Sequence, residues 1–364
     1  MRSKLALSAL VIAAAGAIAA GCGSSNNNSS SGGGGSKGGK IAVLLPDTQS
    51  SVRWETQDRK YLDQAFKAAG IPHTIVNAQG DPSTQRSQAD QALTNGAKVI
   101  LLVDLDPGSG AAIINTAHAR GAKVIDYDRL TLGGNADYYV SFNNETVGKL
   151  QGQGLVNCLQ KGGGSKPVVA ELNGSPTDNN ATLFANGYNG VLDQQYSSGK
   201  FKKGPNQSVP EWDNQKALTI FEQMLQQTHN KIDGVLAAND GLANSVISAL
   251  NARKLGHKPV TGQDATAEGI QHILAGEQCM TVYKAVKKEA DAAAKVAIAL
   301  AQGKKPTAPQ SSDNKGKKTP SVLLTPVAVT KANIKDTVIK DGFLKVSDIC
   351  QGKYKQFCSS AGLS

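Results

Sequence analysis

The sequence is poor in the residues that carry covalent chemistry or hold metals: five histidines, five cysteines and two tryptophans in 364 residues. None of His73, His118, His229, His257 and His272 is paired at metal-ligand spacing, and no cysteine stands at zinc spacing from a histidine, so no metal is expected. There is no Gly-x-Ser-x-Gly elbow and no His-Glu-x-x-His pair. Two glycine-rich stretches approach phosphate-binding motifs and miss. Gly108-Ser109-Gly110 has Ile113 where a dinucleotide fingerprint needs its last glycine. Gly34 to Lys40 is followed by Ile41, where a P-loop has Ser or Thr, and it precedes a strand instead of following one. These absences argue against an enzyme and leave no cofactor to expect.

Charge excludes less than it first suggests. The chain carries 39 basic and 29 acidic residues, a formal charge of +10. Part of the excess lies in loop-like stretches, Lys304-Lys305 and Lys315 to Lys318, and no DNA- or RNA-binding pattern accompanies it, so a nucleic-acid partner is not expected. The N-terminus sets the compartment. Met1 to Lys4 is a basic leader, and Leu5 to Ala20 is apolar but too short and too small-residued for a comfortable bilayer span. Ala19-Ala20-Gly21-Cys22 resembles a lipobox, which makes residues 1–21 a lipoprotein signal peptide and Cys22 the lipidated anchor to the membrane. Residues 22–39 are almost wholly Gly, Ser and Asn, a flexible tether. The protein is thus expected outside the cytoplasm. There, the remaining Cys158, Cys279, Cys350 and Cys358 invite two disulfides among three possible connectivities, Cys350 and Cys358 being close enough for a local clip.

From Lys40 onward, short apolar strands alternate with amphipathic helices, the grammar of parallel sheets with helical crossovers. The length favours two cores. The reading is an α/β chain of two Rossmann-like lobes joined by a three-segment hinge. Residues 40–143 with 284–320 form the N-terminal lobe, 144–283 with 321–345 the C-terminal lobe, and 346–364 a cysteine-containing tail. The stretch from Gly303 to Thr319 reads as an exposed loop, and Val322 to Val327 as a strand.

In open parallel sheets ligands bind outside the carboxyl ends of the strands. Polar clusters recur at just those places: Asp128-Arg129 after the apolar run Val124-Ile125, then Asn179-Asn180, Asn239-Asp240, Gln263-Asp264 and Lys284. A carboxylate beside a planar guanidinium can bracket a vicinal diol, and side chains with several donors or acceptors suit a polyhydroxylated neutral ligand. Trp54 and Trp212, both in polar surroundings, can stack on the C–H face of a sugar ring. Asp128, Asp240 and Asp264 could also supply a glycosidase pair, but carboxylates among Arg and Lys stay ionised, which suits acceptors better than a general acid.

These motifs resemble the periplasmic-type sugar-binding proteins of ABC importers, and within them most nearly the D-xylose binders. The resemblance runs from about Lys40 to Lys345 and rests on Arg53-Trp54, Asp58-Arg59, Tyr127-Asp128-Arg129, Asp178-Asn179-Asn180-Ala181, Ala238-Asn239-Asp240, Gly262-Gln263-Asp264-Ala265 and Thr281-Val282-Tyr283-Lys284. It implies a monomer of the type I periplasmic binding fold that closes on one monosaccharide, D-xylose first, and delivers it to a membrane permease with a cytoplasmic ATPase. Carried over by motif, Trp54 and Trp212 sandwich the ring. Arg53, Asp128, Arg129, Asn180, Asn239, Asp264 and Lys284 bind its hydroxyls, with Arg59 and Asp240 on the same rim. Alternatives are another sugar, such as glucose or ribose, or a sensing role toward a membrane receptor.

Overall fold

A computed structural model describes residues 38–363; the leader, Cys22 and nearly all of the tether lie outside the described residues. Runs of β-branched and aliphatic residues that cannot be solvated make the inner strands. Five parallel strands open the chain: β1 (Lys40–Leu45), β2 (His73–Asn77), β3 (Ala97–Leu102), β4 (Lys123–Tyr127) and β5 (Tyr138–Phe142). Their order in the sheet is β2-β1-β3-β4-β5. Between the first four run α1 (Arg59–Ala68), α2 (Pro82–Thr94) and α3 (Pro107–Ala119). Asp81 and Asp106 cap α2 and α3, each followed by proline at the first helical position, where the missing N–H costs nothing.

The chain then crosses to a second lobe. There α4 (Asn144–Lys161) and α5 (Asn179–Ser197) flank β6 (Val168–Asn173), which lies between β7 (Lys202–Ser208) and β8 (Gly234–Ala237) in a parallel sheet. Helices α6 (Asn214–Gln227), α7 (Asp240–Ala252) and α8 (Ala267–Ala275) complete this lobe. Helices α4 and α5 touch because Gly148 and Gly187 have no Cβ; one on either would collide with the other helix's backbone. After β9 (Thr281–Tyr283) the chain returns at Lys284-Ala285 to α9 (Val286–Ala301), which packs on the first sheet beside Ile41, Val99 and Tyr127.

A hairpin, β10 (Gln310–Asn314) and β11 (Lys317–Leu324), then adds to the first sheet, with β11 parallel to β5. This corrects two expectations. Gly303 to Thr319 is not all loop, because it contains β10 and the start of β11, joined at Lys315-Gly316 in the left-handed conformation of a tight hairpin turn. The third crossing also falls after Leu324, at Thr325-Pro326, not at 320. Beyond it, β12 (Val327–Val329) pairs antiparallel with β9. The tail folds onto the second lobe: Ile349, Cys358 and Leu363 share a buried cluster with Ile270, Ile273 and Val338.

Each lobe buries its own apolar set, so three crossings connect two separate cores. Among the described residues, no helix is long and apolar enough to cross a membrane. The four cysteines in this region pair as Cys158–Cys279 and Cys350–Cys358.

Candidate functional site

The carboxyl ends of the strands in both lobes face one cleft, with about 320 Å³ of empty space, part of it continuous with solvent. From the first lobe come Ser50, Ser51, Arg53 and Trp54 after β1, and Asp128 and Arg129 after β4. The second lobe supplies Asp178 and Asn180 at the start of α5, Trp212 after β7, Asn239 after β8, and Gln263 and Asp264 before α8. Lys284 sits at the second crossing.

Asp128 is the node. One oxygen, Oδ2, accepts from Arg53 Nη1 at 2.9 Å and from Lys284 Nζ at 3.1 Å, and the other accepts from Asn180 Nδ2 at 3.0 Å. Its donors therefore come from the first lobe, the crossing and the second lobe. Burial would raise this carboxyl, but Lys284, Arg53 and Arg129 outweigh it and hold it below the usual carboxylate range. The same exchange keeps Lys284 charged: burial favours the neutral amine, and Asp128 pushes its pKa back above the ordinary value.

Behind the cleft wall, Arg53 is locked from three sides. Its Nε and Nη2 donate to Asp58 at 2.8 and 2.7 Å, and Nη2 also reaches Glu289 on α9 at 2.5 Å. Tyr127 donates to the same Asp58 oxygen at 2.5 Å. Burial pushes Glu289 up to about 8, against the pull of Arg53 and with the repulsion of Asp128. A guanidinium so held has one orientation left to present, which is the preorganisation a binding site needs.

The two indoles are anchored by their N–H groups: Trp54 donates to Ser50 Oγ and Trp212 to Asp178, each at 3.1 Å. Arg129 ties these anchors together, with Nη2 at 3.2 Å from Ser50 Oγ and Nε at 3.1 Å from Asp178. Three groups of the cleft stand in left-handed backbone, where only glycine is at ease: Asp128 at φ 62°, Trp212 at 57° and Asp264 at 95°. Such outliers persist where the surroundings over-determine them, and they cluster at ligand clamps. Contacts also run directly between the lobes. Ser51 Oγ donates to Asp264 at 3.0 Å, Asn239 Nδ2 to the Ser50 carbonyl at 3.3 Å, and Gln49 to Asp213 at 2.7 Å.

Nine expected ligand residues line this cleft: Arg53, Trp54, Asp128, Arg129, Asn180, Trp212, Asn239, Asp264 and Lys284. Two do not. Arg59 lies one helical turn beyond Glu55, which captures it at 2.5 Å, and its Nη1 donates to the Ile75 carbonyl on a separate surface. Asp240 follows Asn239, but the helix turns it away from the cleft. It is fully buried, accepting from Thr266 N and Thr281 Oγ1 at 2.7 Å, and fastens the loop that carries Asp264. Ser50, Ser51, Asp178 and Phe184 also line the cleft and were not among the expected ligand residues. Asp178 caps α5, accepting from Asn180 N at 2.9 Å. Among the described residues no group of His, Cys, Asp and Glu has metal-site geometry.

A cleft between two α/β lobes, lined by strand ends and crossed three times by the chain, defines a two-lobed solute-binding fold. The chain belongs to the periplasmic binding protein family, whose domain matches residues 41–305. It is 39% identical over 311 residues to the D-xylose-binding periplasmic protein of Escherichia coli K12, covering 85% of this chain and 92% of that protein. It is 34% identical to a multiple sugar-binding periplasmic receptor of Rhizobium radiobacter, covering 85% and 92%. Among solved structures it superposes, at a TM-score of 0.78 and 30% identity, on a carbohydrate-transporter solute-binding protein of Chloroflexus aurantiacus in complex with D-glucose, covering 85% and 97%.

Proposed function

We propose that this protein captures one monosaccharide, D-xylose first, and presents it to the membrane permease of an ABC sugar importer, without catalysing a reaction and without a cofactor. It acts outside the cytoplasm as a monomer, tethered through a lipid on Cys22. Arg53, Asp128, Asn180, Asn239, Asp264 and Lys284 meet the hydroxyls, Arg129 bridges the two indole anchors, and Trp54 and Trp212 take the ring faces. The observation that carries this reading is the Asp128 node, an ionised carboxylate whose donors come from both lobes and the crossing. A ligand that competes for those donors interacts with both lobes at once, so it has a differential affinity for the closed state and draws the lobes together.

The test is isothermal titration with D-xylose, D-glucose and D-ribose side by side. One-to-one binding of xylose with rejection of glucose supports a pocket that excludes an exocyclic CH₂OH. Tight glucose binding widens the specificity toward the multiple-sugar relatives, and no heat with any of the three overturns the sugar assignment.

A further inference from the structure

Five ionisable groups meet at and behind the cleft wall, and all are buried: Arg53, Asp58, Asp128, Lys284 and Glu289. They come from the segment after β1, the end of β4, the second crossing and the first turn of α9. Tyr127 and Tyr139 are the other titratable side chains that face Glu289. Three carboxylates stand against two cations. Fully ionised, the cluster keeps one negative charge where water cannot solvate it, and one added proton removes that charge.

The donors single out the carboxylate that takes the proton. Asp58 accepts two bonds from Arg53 and one from Tyr127. Asp128 accepts from Arg53, Lys284 and Asn180. Glu289 has one donor, Arg53 Nη2 at its Oε2, while its Oε1 is buried without a partner among the described residues. The helix N-terminus favours an anion there, but by less than an unsatisfied buried charge costs. Burial accordingly lifts the Glu289 carboxyl to about 8, whereas Asp128 stays ionised.

This proton decides what Arg53 offers the cleft. The neutral acid accepts from Nη2 as a carbonyl does and leaves the guanidinium charge to Asp58 and Asp128. The anion competes with Asp128 for the same cation, and it leaves net charge behind a cleft that closure dries. A neutral sugar brings nothing to compensate it.

We propose that Glu289 is a positioning residue for the sugar site, holding Arg53 in place as the neutral acid, so that sugar and proton bind together. The proposal rests on the sugar-binding reading of the cleft. By linkage each ligand tightens the other. Sugar affinity then follows the protonated fraction, flat in acid and falling as Glu289 ionises. No histidine or cysteine lines the cleft to produce the same window.

Isothermal titration of the purified protein with D-xylose at about pH 6 and about pH 9 tests it, together with two variants. The parent should bind about tenfold more weakly at the higher pH, where roughly one molecule in ten keeps the proton. Glu289→Gln, which keeps a neutral acceptor for Arg53, should hold the low-pH affinity at both. Glu289→Ala frees Arg53 and should weaken xylose at least tenfold at both, with far-UV circular dichroism reporting the fold; if it does not fold, the parent and the Gln variant decide. Equal parent affinity at the two pH values overturns the proposal. A pH dependence that persists in Glu289→Gln belongs to another group and overturns it too, as does a folded Ala variant that binds like the parent at the lower pH. No xylose binding by the parent at either pH refutes the underlying sugar reading instead.

Discussion

Replacing Arg129 by alanine separates what this side chain does for folding from what it does for the ligand. The residue is 6% exposed, and its guanidinium donates to the Asp104 carbonyl at 3.1 Å and Ser50 Oγ at 3.2 Å, with Asp178 paired at Nε. Truncating one partner of a buried ion pair costs about 3–5 kcal/mol, because the other charge is left uncompensated. Here the lower end applies. Burial already raises the Asp178 carboxyl and Arg129 is what opposes it, so without Arg129 Asp178 relaxes by taking up a proton. The fold should survive with about 3 kcal/mol less stability. Binding should suffer independently: a desolvated charged group in a polar pocket carries roughly 2–5 kcal/mol, which is about thirtyfold to several thousandfold in Kd. Urea unfolding measures the first quantity and titration with D-xylose the second, at a temperature where the variant is folded. A stable variant that binds xylose within threefold of the parent removes Arg129 from the site.

Three further outcomes follow from the same geometry. Gly174→Ala puts a methyl group into the Trp212 ring, so xylose affinity should drop at least tenfold by titration while far-UV circular dichroism stays unchanged. Reducing Cys158–Cys279, which closes a loop 121 residues long, should cost about 5 kcal/mol, and reducing Cys350–Cys358, separated by 8, about 2.5 kcal/mol; stepwise Cys→Ser variants in urea give the order. Burial lifts Glu289 to about 8 in the folded protein, so the native state holds its proton more tightly than the unfolded chain does. Stability should therefore fall as pH rises from about 4 to about 8, and Glu289→Gln should flatten that slope in thermal melts; an unchanged slope rules out Glu289 as its source.

The strand-end logic read from sequence reached most of the cleft because strand ends are where side chains leave the packed layers, and Asp128-Arg129 follow the apolar run of β4; before Asp264 there is only an isolated bridge from Val260 to Val235. What it missed has physical causes. Arg59 and Asp240 stand next to or near true site residues, and helical phase, with 100° between neighbours, decides which of two adjacent polar side chains faces the cleft. Asp178 does two jobs with one carboxylate, capping α5 and anchoring Trp212, and the second depends on a tertiary contact. The hairpin of β10 and β11 begins as an edge strand whose residues are largely exposed, so no apolar alternation marks it. The pairing of the four cysteines depends on α4 lying beside the loop before β9, a tertiary contact that spacing does not encode.

The left-handed residues tie strain to binding. Asp128, Trp212 and Asp264 come from three different loops, and each pays a backbone cost on the order of 1–3 kcal/mol to stand where it does. Asparagine and aspartate tolerate this conformation better than most residues, and tryptophan does not, so the Trp212 loop needs the most support. It has that support in the Asp178 bond, in the edge-on contact with Phe184 at 6.4 Å, and in the absence of a side chain at Gly174. Asp128 is held by its three donors, and Asp264 by Ser51 across the cleft and Lys284 at 3.9 Å. Two of these three supports cross between lobes. Opening the cleft takes Asn180 from Asp128 and Ser51 from Asp264 together, so the open form holds both carboxylates strained and less well paired. A ligand that supplies hydroxyls to both restores the pairing, and that restoration is the free energy available to drive closure.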